Sequence, residues 1–239
     1  MGVPVLIIGK SGSGKTTSLR NFVRGQIGVI NVLGKNLPFQ SNLQSKTTDD
    51  YTKIKEMMLG AQNTKSFFID DAGYLITNAF MRGHGGGKGN AVFDLYNSIA
   101  DNFWNLILFI SNELPNDMIV YVVMHEDKND FGDVKPKTIG KLLDDKVCVE
   151  GMFTIVLRSL KEDGKYIFVT QTDGFDVTKS PLGMFDHEKI DNDLSIIDQK
   201  IRSYYHIELQ PAGDPGKTTP PPTQTQPEPG NGEVKEEDI

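Results

Sequence analysis

The run Gly9-Lys10-Ser11-Gly12-Ser13-Gly14-Lys15-Thr16 has the residue types and the spacing needed to hold a phosphate. It fits the pattern G-x-x-x-x-G-K-[ST]. Gly9, Gly12 and Gly14 let the backbone wrap the group and aim successive N–H donors at it. Lys15 puts a positive charge on the β- and γ-phosphates of a nucleotide, and the Thr16 hydroxyl is placed to hold Mg²⁺. Lys10, Ser11, Ser13 and Thr17 complete the expected contact set. The positive end of a helix starting here adds to the attraction.

Such a loop needs a second group on the metal side. Phe67-Phe68-Ile69-Asp70-Asp71 is an apolar run ending in paired carboxylates. Asp70 is expected to hold Mg²⁺ through a water, and Asp71 to polarise the attacking water as a general base. The plainer reading makes one of them a helix cap or a solvated loop residue. Met118-Ile119-Val120-Tyr121-Val122-Val123-Met124-His125-Glu126 is another apolar run with a polar end. Ligands of open α/β sheets bind beyond the carboxyl ends of the strands, so His125 and Glu126 emerge on the phosphate side. They can sense the γ-phosphate or orient water, and Glu126 competes with Asp71 for the role of base. A strand-end histidine that only hydrogen-bonds is the alternative.

These side chains need a scaffold, and the hydrophobic pattern supplies one. Residues 3–8 read as a buried parallel strand, and 16–24 as a helix with Leu19, Phe22 and Val23 on one face. Residues 28–32 read as a strand, 49–59 as a helix capped by Asp49 or Asp50, and 65–70 as a further strand. The glycine-rich stretch 82–89 reads as a loop. A long helix over 91–113 follows, with Val92, Leu95, Ile99, Phe103, Leu106 and Ile110 at helical spacing. Residues 118–124 form a buried strand, 138–143 a short helix, and 153–160 with 166–172 a β-hairpin around Glu162-Asp163-Gly164. This alternation predicts an α/β fold, a mainly parallel sheet with helices on both faces.

The 239 residues suit one domain over 1–209 and a tail over 210–239. Pro220-Pro221-Pro222-Thr223-Gln224-Thr225-Gln226-Pro227 cannot build a core and is expected to be disordered, and the last residues are acidic. The tail is either a solubilising linker or a segment that docks on a basic partner. A net charge of −7 excludes a general basic coat for nucleic acid, though not a local basic groove. Cys148 is the only cysteine, so an intramolecular disulfide and a cysteine zinc site are excluded, and it reads as a small buried hydrophobe. With no signal peptide and no membrane span legible, the expected compartment is the cytoplasm.

Through Gly9 to Thr16, Phe67 to Asp71, the strand ending in His125-Glu126, and Asp173-Gly174-Phe175-Asp176-Val177-Thr178-Lys179-Ser180-Pro181-Leu182-Gly183-Met184-Phe185, the chain resembles a known family. That family is the phage-encoded RecA-like P-loop ATPases of the AAA superfamily, which includes Sak-type single-strand annealing and recombination proteins. The likeness covers residues 1–185, and only the phosphate loop is specific by itself. It implies a RecA-like domain that binds ATP with Mg²⁺ and hydrolyses it. It further implies a homo-oligomer acting on single-stranded DNA beside phage recombination or replication proteins, in an infected bacterial cell. In RecA-like proteins a lysine or arginine after the late hairpin reaches the γ-phosphate held by the next subunit. Lys179 matches that position, while Pro181 stands where a second basic residue is often found.

The resemblance also points the loops beyond Asp71 toward DNA. One is 82–88, basic and glycine-rich; the other is 128–141, with Lys128, Lys135, Lys137 and Lys141. Asp127, Asp130 and Asp133 dilute the second, and Phe131 is its one aromatic. Two further readings stay open. A nucleotide or polynucleotide kinase would use the same loop, but no compact arginine-rich lid is evident. An ATP-dependent loading or assembly factor would act mainly through protein partners.

Overall fold

The computed structural model describes residues 1–85, 90–139 and 147–207. The chain opens with β1 (Val3–Gly9), a 3₁₀ helix (Thr16–Asn21), β2 (Gly28–Asn31), β3 (Ser45–Thr47), α1 (Tyr51–Leu59), β4 (Ser66–Asp70) and α2 (Gly73–Gly83). It continues through α3 (Asn90–Asn112), β5 (Ile119–Lys128), β6 (Val134–Pro136), a short 3₁₀ turn (Glu150–Met152), β7 (Ile155–Glu162), β8 (Lys165–Val169), β9 (Lys189–Asp191) and α4 (Leu194–Tyr204).

The strands lie in the order β3-β2-β4-β5-β1-β7-β8-β9, with β6 paired to the outer end of β5. From β3 to β7 every neighbour is parallel. The β7–β8 hairpin and β9 add an antiparallel edge. The hairpin closes tightly because Glu162 pairs with Lys165, leaving Asp163 and Gly164 with positive φ of 48° and 78°, as a two-residue primed turn requires. The expected mainly parallel sheet with flanking helices and a late hairpin is what the chain forms.

Alternation along the strands splits the core between the faces of the sheet. Leu6, Ile8, Ile69, Val120, Val122 and Met124 pack against α1, α2 and α3 through Ile54, Met58, Leu75, Ile76, Phe103, Leu106 and Ile110. Val5, Ile7, Phe68, Tyr121, Val123 and Leu157 pack against Leu19 and Phe22 and against Leu194, Ile197 and Ile201 of α4. A buried polar knot ties α4 to the sheet. Asp198 accepts from Tyr121 at 2.9 Å, Ser66 at 2.7 Å and Arg202 at 2.7 Å. Arg202 also donates to the carbonyls of Lys65 and Asp117. Burial pushes the Tyr121 hydroxyl well above its usual pKa, so it stays a donor.

Local details depart from the sequence reading. The helix expected over 16–24 is a 3₁₀ segment that ends at Asn21. Phe22 is already extended and Val23 points to solvent, so only Leu19 and Phe22 reach the core. Helix α2 was not foreseen: Leu75 and Ile76 are its buried residues, and its end absorbs Arg82 and Gly83 from the expected loop. Residues 86–89 of that loop lie outside the described residues. So do 140–143 of the expected short helix, while Thr138 and Ile139 are not helical. Helix α1 is capped as expected by Asp50, whose carboxylate accepts from the N–H groups of Thr52 and Lys53. Val92 of α3 is exposed despite its spacing.

Cys148 is exposed, not buried, because it precedes the short turn at Glu150 and its thiol donates to that carboxylate at 3.3 Å. Strand β5 runs past its apolar stretch to Lys128, because β6 pairs with it. The described residues fall within 1–209, and the tail from 210 lies outside them. Among the described residues, no helix is long and apolar enough to cross a membrane.

Candidate functional site

The carboxyl ends of β1, β4 and β5 meet at a cavity of about 290 Å³. Ser11, Gly12, Gly14, Lys15, Thr16, Thr17, Asp70, Asp71 and His125 line it, all expected from the sequence. The register explains the meeting: Gly9 pairs with His125 across β1–β5, and Ile69 pairs with Val122 across β4–β5. Lys10 is exposed and does not line the cavity. Gly9 and Ser13 sit beneath the loop. A Cβ on Gly9 would come within 2.6 Å of both the Ser13 hydroxyl and the Ser159 carbonyl. Gly14 has φ of +102°, and a Cβ there would press to 2.7 Å on the Tyr166 ring. The loop therefore closes against β7 and β8 only with glycine at these positions. Ser159 donates to the Ser13 carbonyl at 2.8 Å and fixes the loop from below.

Lys15 is folded under the loop, its ammonium donating to the carbonyls of Gly9 and Lys10 at 2.8 Å each. Burial brings its pKa down to about 8, against the opposing pull of Asp71 and Asp70. The Thr16 hydroxyl lies 3.0 and 3.2 Å from the carboxylate oxygens of Asp70. Burial and the neighbouring Asp71 charge push the Asp70 carboxyl up to about 6. A hydroxyl and a buried carboxylate in contact form a donor set that suits Mg²⁺. That ion takes one or two protein oxygens and fills the rest of its shell with phosphates and water. Among the described residues no cluster of three or more acidic, histidine or cysteine side chains offers an all-protein cage.

Asp71 begins the turn into α2 with φ of +57°. One of its oxygens meets Nε2 of His125 at 3.3 Å, and the other is paired with the Lys35 ammonium. Burial works to raise its pKa, but the hydrogen bonds from His125 and Lys35 win and hold it at about 2. Tyr74, the second residue of α2, sets its ring edge-on to His125 at 6.2 Å. The 3₁₀ segment after the loop has only six residues. Its dipole adds little, and the loop's own N–H groups are what remains to meet an anion.

Glu126 is placed differently. It does not line the cavity, and Arg158 holds both of its oxygens at 2.8 and 3.1 Å. Arg158 also reaches Asp176 at 3.3 Å, which ties β5 and β7 to the loop before Lys179. Lys179 joins the edge of β7 through backbone hydrogen bonds with Val156, and its side chain is absent from its own chain's cavity. Sequence reasoning missed Lys35, Asn36, Pro38 and Tyr166 on the cavity wall. The first three sit in a polar loop with no pattern to single them out. Arg158 had a signal, a lone charge directly after the apolar run Ile155-Val156-Leu157.

No known protein-family profile matches the chain, and no curated protein matches it. Among solved structures it is similar to a KaiC-like protein of the hyperthermophilic archaeon Pyrococcus horikoshii OT3, with a TM-score of 0.37 and 13% sequence identity over 70% of this chain and 77% of that one.

Proposed function

We propose that the protein binds ATP with Mg²⁺ and hydrolyses it, as a RecA-like P-loop ATPase. The observation that carries this reading is one cavity holding a phosphate loop with its buried Lys15, a Thr16–Asp70 pair, and a separate carboxylate, Asp71. A loop that only bound a phosphate would have no use for the last. The loop N–H groups and Lys15 hold the phosphates. Thr16 and Asp70 would hold Mg²⁺, which when bound would supply charge neutralisation on the phosphate oxygens. Asp71 takes a proton from the attacking water as its oxygen bonds the γ-phosphorus. The bond from that phosphorus to the bridging oxygen breaks, and ADP leaves with that oxygen. His125 orients Asp71 from the neighbouring strand, and Arg158 keeps Glu126 out of the reaction and fixes the end of β5.

The same reading extends to assembly. The protein works as a homo-oligomer on single-stranded DNA in phage recombination, annealing or replication. Lys179 serves the neighbouring subunit's γ-phosphate, which agrees with its absence from its own cavity. Phe131 and Phe175 are exposed on loops joined by the hydrogen bond from the Val134 N–H to the Phe175 carbonyl, and offer faces on which bases can stack.

The test is phosphate release from ATP by the full chain, with and without single-stranded DNA, beside the mass of the assembly. The expected result is Mg²⁺-dependent release that DNA stimulates and that Lys15→Ala abolishes. Normal turnover by Lys15→Ala would sink the assignment. Label appearing on an acceptor instead of as free phosphate would make the protein a kinase. Hydrolysis indifferent to DNA but raised by a protein partner would make it a loading factor.

A further inference from the structure

We propose that Lys35 reads the terminal phosphate: its ammonium leaves Asp71 for the γ-phosphate when a nucleoside triphosphate, and not a diphosphate, fills the cavity. This rests on the ATP reading above and adds a discriminating residue to it.

Lys35 is fixed at its backbone, while its side chain is exposed and paired only at its tip, with Asp71. Asn31, only 4% exposed at the end of β2, accepts the Lys35 N–H at 3.2 Å and donates back to the Lys35 carbonyl. Asn31 is in register with Asp70 of β4. The loop carrying Lys35 is thereby referenced to the strand that carries the metal-side carboxylate. A buried amide clamped on both polar groups of one residue fixes where that residue starts. Beyond the backbone, the Lys35 side chain is 57% exposed. It crosses the open side of the cavity to Asp71, with its ammonium 6.0 Å from the centre of the Tyr74 ring. A long, exposed cation with a fixed base can change partner without moving the fold.

The partner it holds is the one the reaction needs. Asp71 gives one oxygen to His125 and the other to Lys35. With both engaged, neither is free to take a water proton. The γ-phosphate brings added negative charge to the same wall, where a bare Asp71 would repel it. Lys35 resolves both problems: moving to the γ-phosphate cancels the repulsion and uncovers an Asp71 oxygen. Lys15 does not uncover Asp71 in this way: its ammonium donates to the Gly9 and Lys10 carbonyls and covers neither Asp71 oxygen, so its turning to a phosphate releases none. The two lysines approach from different elements, Lys15 from the phosphate loop and Lys35 from the loop after β2. A diphosphate leaves Lys35 where it is.

The test is equilibrium binding of ADP and of a non-hydrolysable ATP analogue, both with Mg²⁺, to the full chain. Wild type is compared with Lys35→Ala, Lys35→Arg and Lys15→Ala by calorimetry. Loss of one charge-assisted contact predicts that Lys35→Ala weakens the triphosphate about 10- to 100-fold while ADP binding changes by less than about twofold. Lys35→Arg keeps most of the triphosphate preference. Lys35→Ala binding both nucleotides as wild type does, or weakening both alike, overturns the phosphate-reading role and leaves the ATP reading standing. A wild-type chain that binds neither nucleotide, or a Lys15→Ala variant that binds both normally, overturns the two together.

Discussion

Asp71 follows β4 and Glu126 lies where the neighbouring parallel strand β5 leaves β1 for β6, and replacing each with its amide separates their roles. Asparagine suits the backbone of residue 71, where φ is +57° and most side chains are strained. Asp71→Asn still accepts from His125 and loses the pairing with a Lys35 that is 57% exposed, so stability falls by less than about 1 kcal/mol. Turnover falls about 10²- to 10⁴-fold with the base gone. Glu126→Gln does the opposite. Glu126 is 3% exposed and Arg158 18%, and their paired hydrogen bonds measure 2.8 and 3.1 Å. The amide leaves Arg158 with Asp176 and costs about 1.5–3 kcal/mol. At about 2–4 °C per kcal/mol for a chain of this size, the melting temperature drops about 3–12 °C. Turnover per folded molecule stays within about tenfold of wild type. Phosphate release at saturating ATP and a thermal melt on the same samples read both quantities. A Glu126→Gln variant that melts like wild type but is inactive, beside an active Asp71→Asn, would show that the proton goes to Glu126.

Gly14→Ala places a methyl within 2.7 Å of Tyr166 at φ of +102°. It should cost more than about 1 kcal/mol in urea denaturation and weaken nucleotide binding more than about tenfold in a titration. Asp198→Ala strips Tyr121, Ser66 and Arg202 of their shared acceptor. It leaves a buried guanidinium uncompensated, so the urea midpoint should fall by the equivalent of about 3–5 kcal/mol. Asp193 caps α4, accepting from Ser195 and from Asn21. Burial works to raise its pKa, but those hydrogen bonds hold it below the usual carboxylate range. A depressed folded-state pKa gives stability that is present above the unfolded pKa and lost as pH falls through the folded one. Asp193→Ala should thus cost about 1 kcal/mol at neutral pH, a gap that closes in urea melts run below about pH 4.

The phosphate loop, Asp70, Asp71 and His125 were legible because each follows a run of apolar residues that can only be a buried strand. Strand ends then place the next residues on one side of the sheet. The hairpin was legible from Asp163-Gly164, where turn chemistry is local. Helix α2 was not legible. Gly73-Tyr74-Leu75-Ile76 follows the carboxylates without a gap, and its buried face is short, so packing against α3 decides it. The extent of β5 was missed because β6 supplies pairing that no residue within β5 announces. Lys35 lies among Gly34, Asn36 and Pro38, which carry no periodicity, and only the Asn31 clamp gives it a position. Cys148 shows the reverse error. An apolar neighbourhood in sequence became an exposed turn, because Val147 and Val149 on either side of the cysteine pack inward while Cys148 faces out.

Strand β5 lies between β1 and β4, and this sets the order in which the site can come into being during synthesis. A nascent chain acquires the phosphate loop and both neighbouring carboxylates by residue 71, yet β1 and β4 have no hydrogen bonds to each other. Their facing edges must wait for residues 119–125, which bond to β1 along their length and to β4 through 119–122. Until then each edge is an open template for another strand. Only the late arrival of the central strand brings Gly9 level with His125 and closes the cavity. The emerging polypeptide thus displays its most recognisable motif well before it has the means to use it.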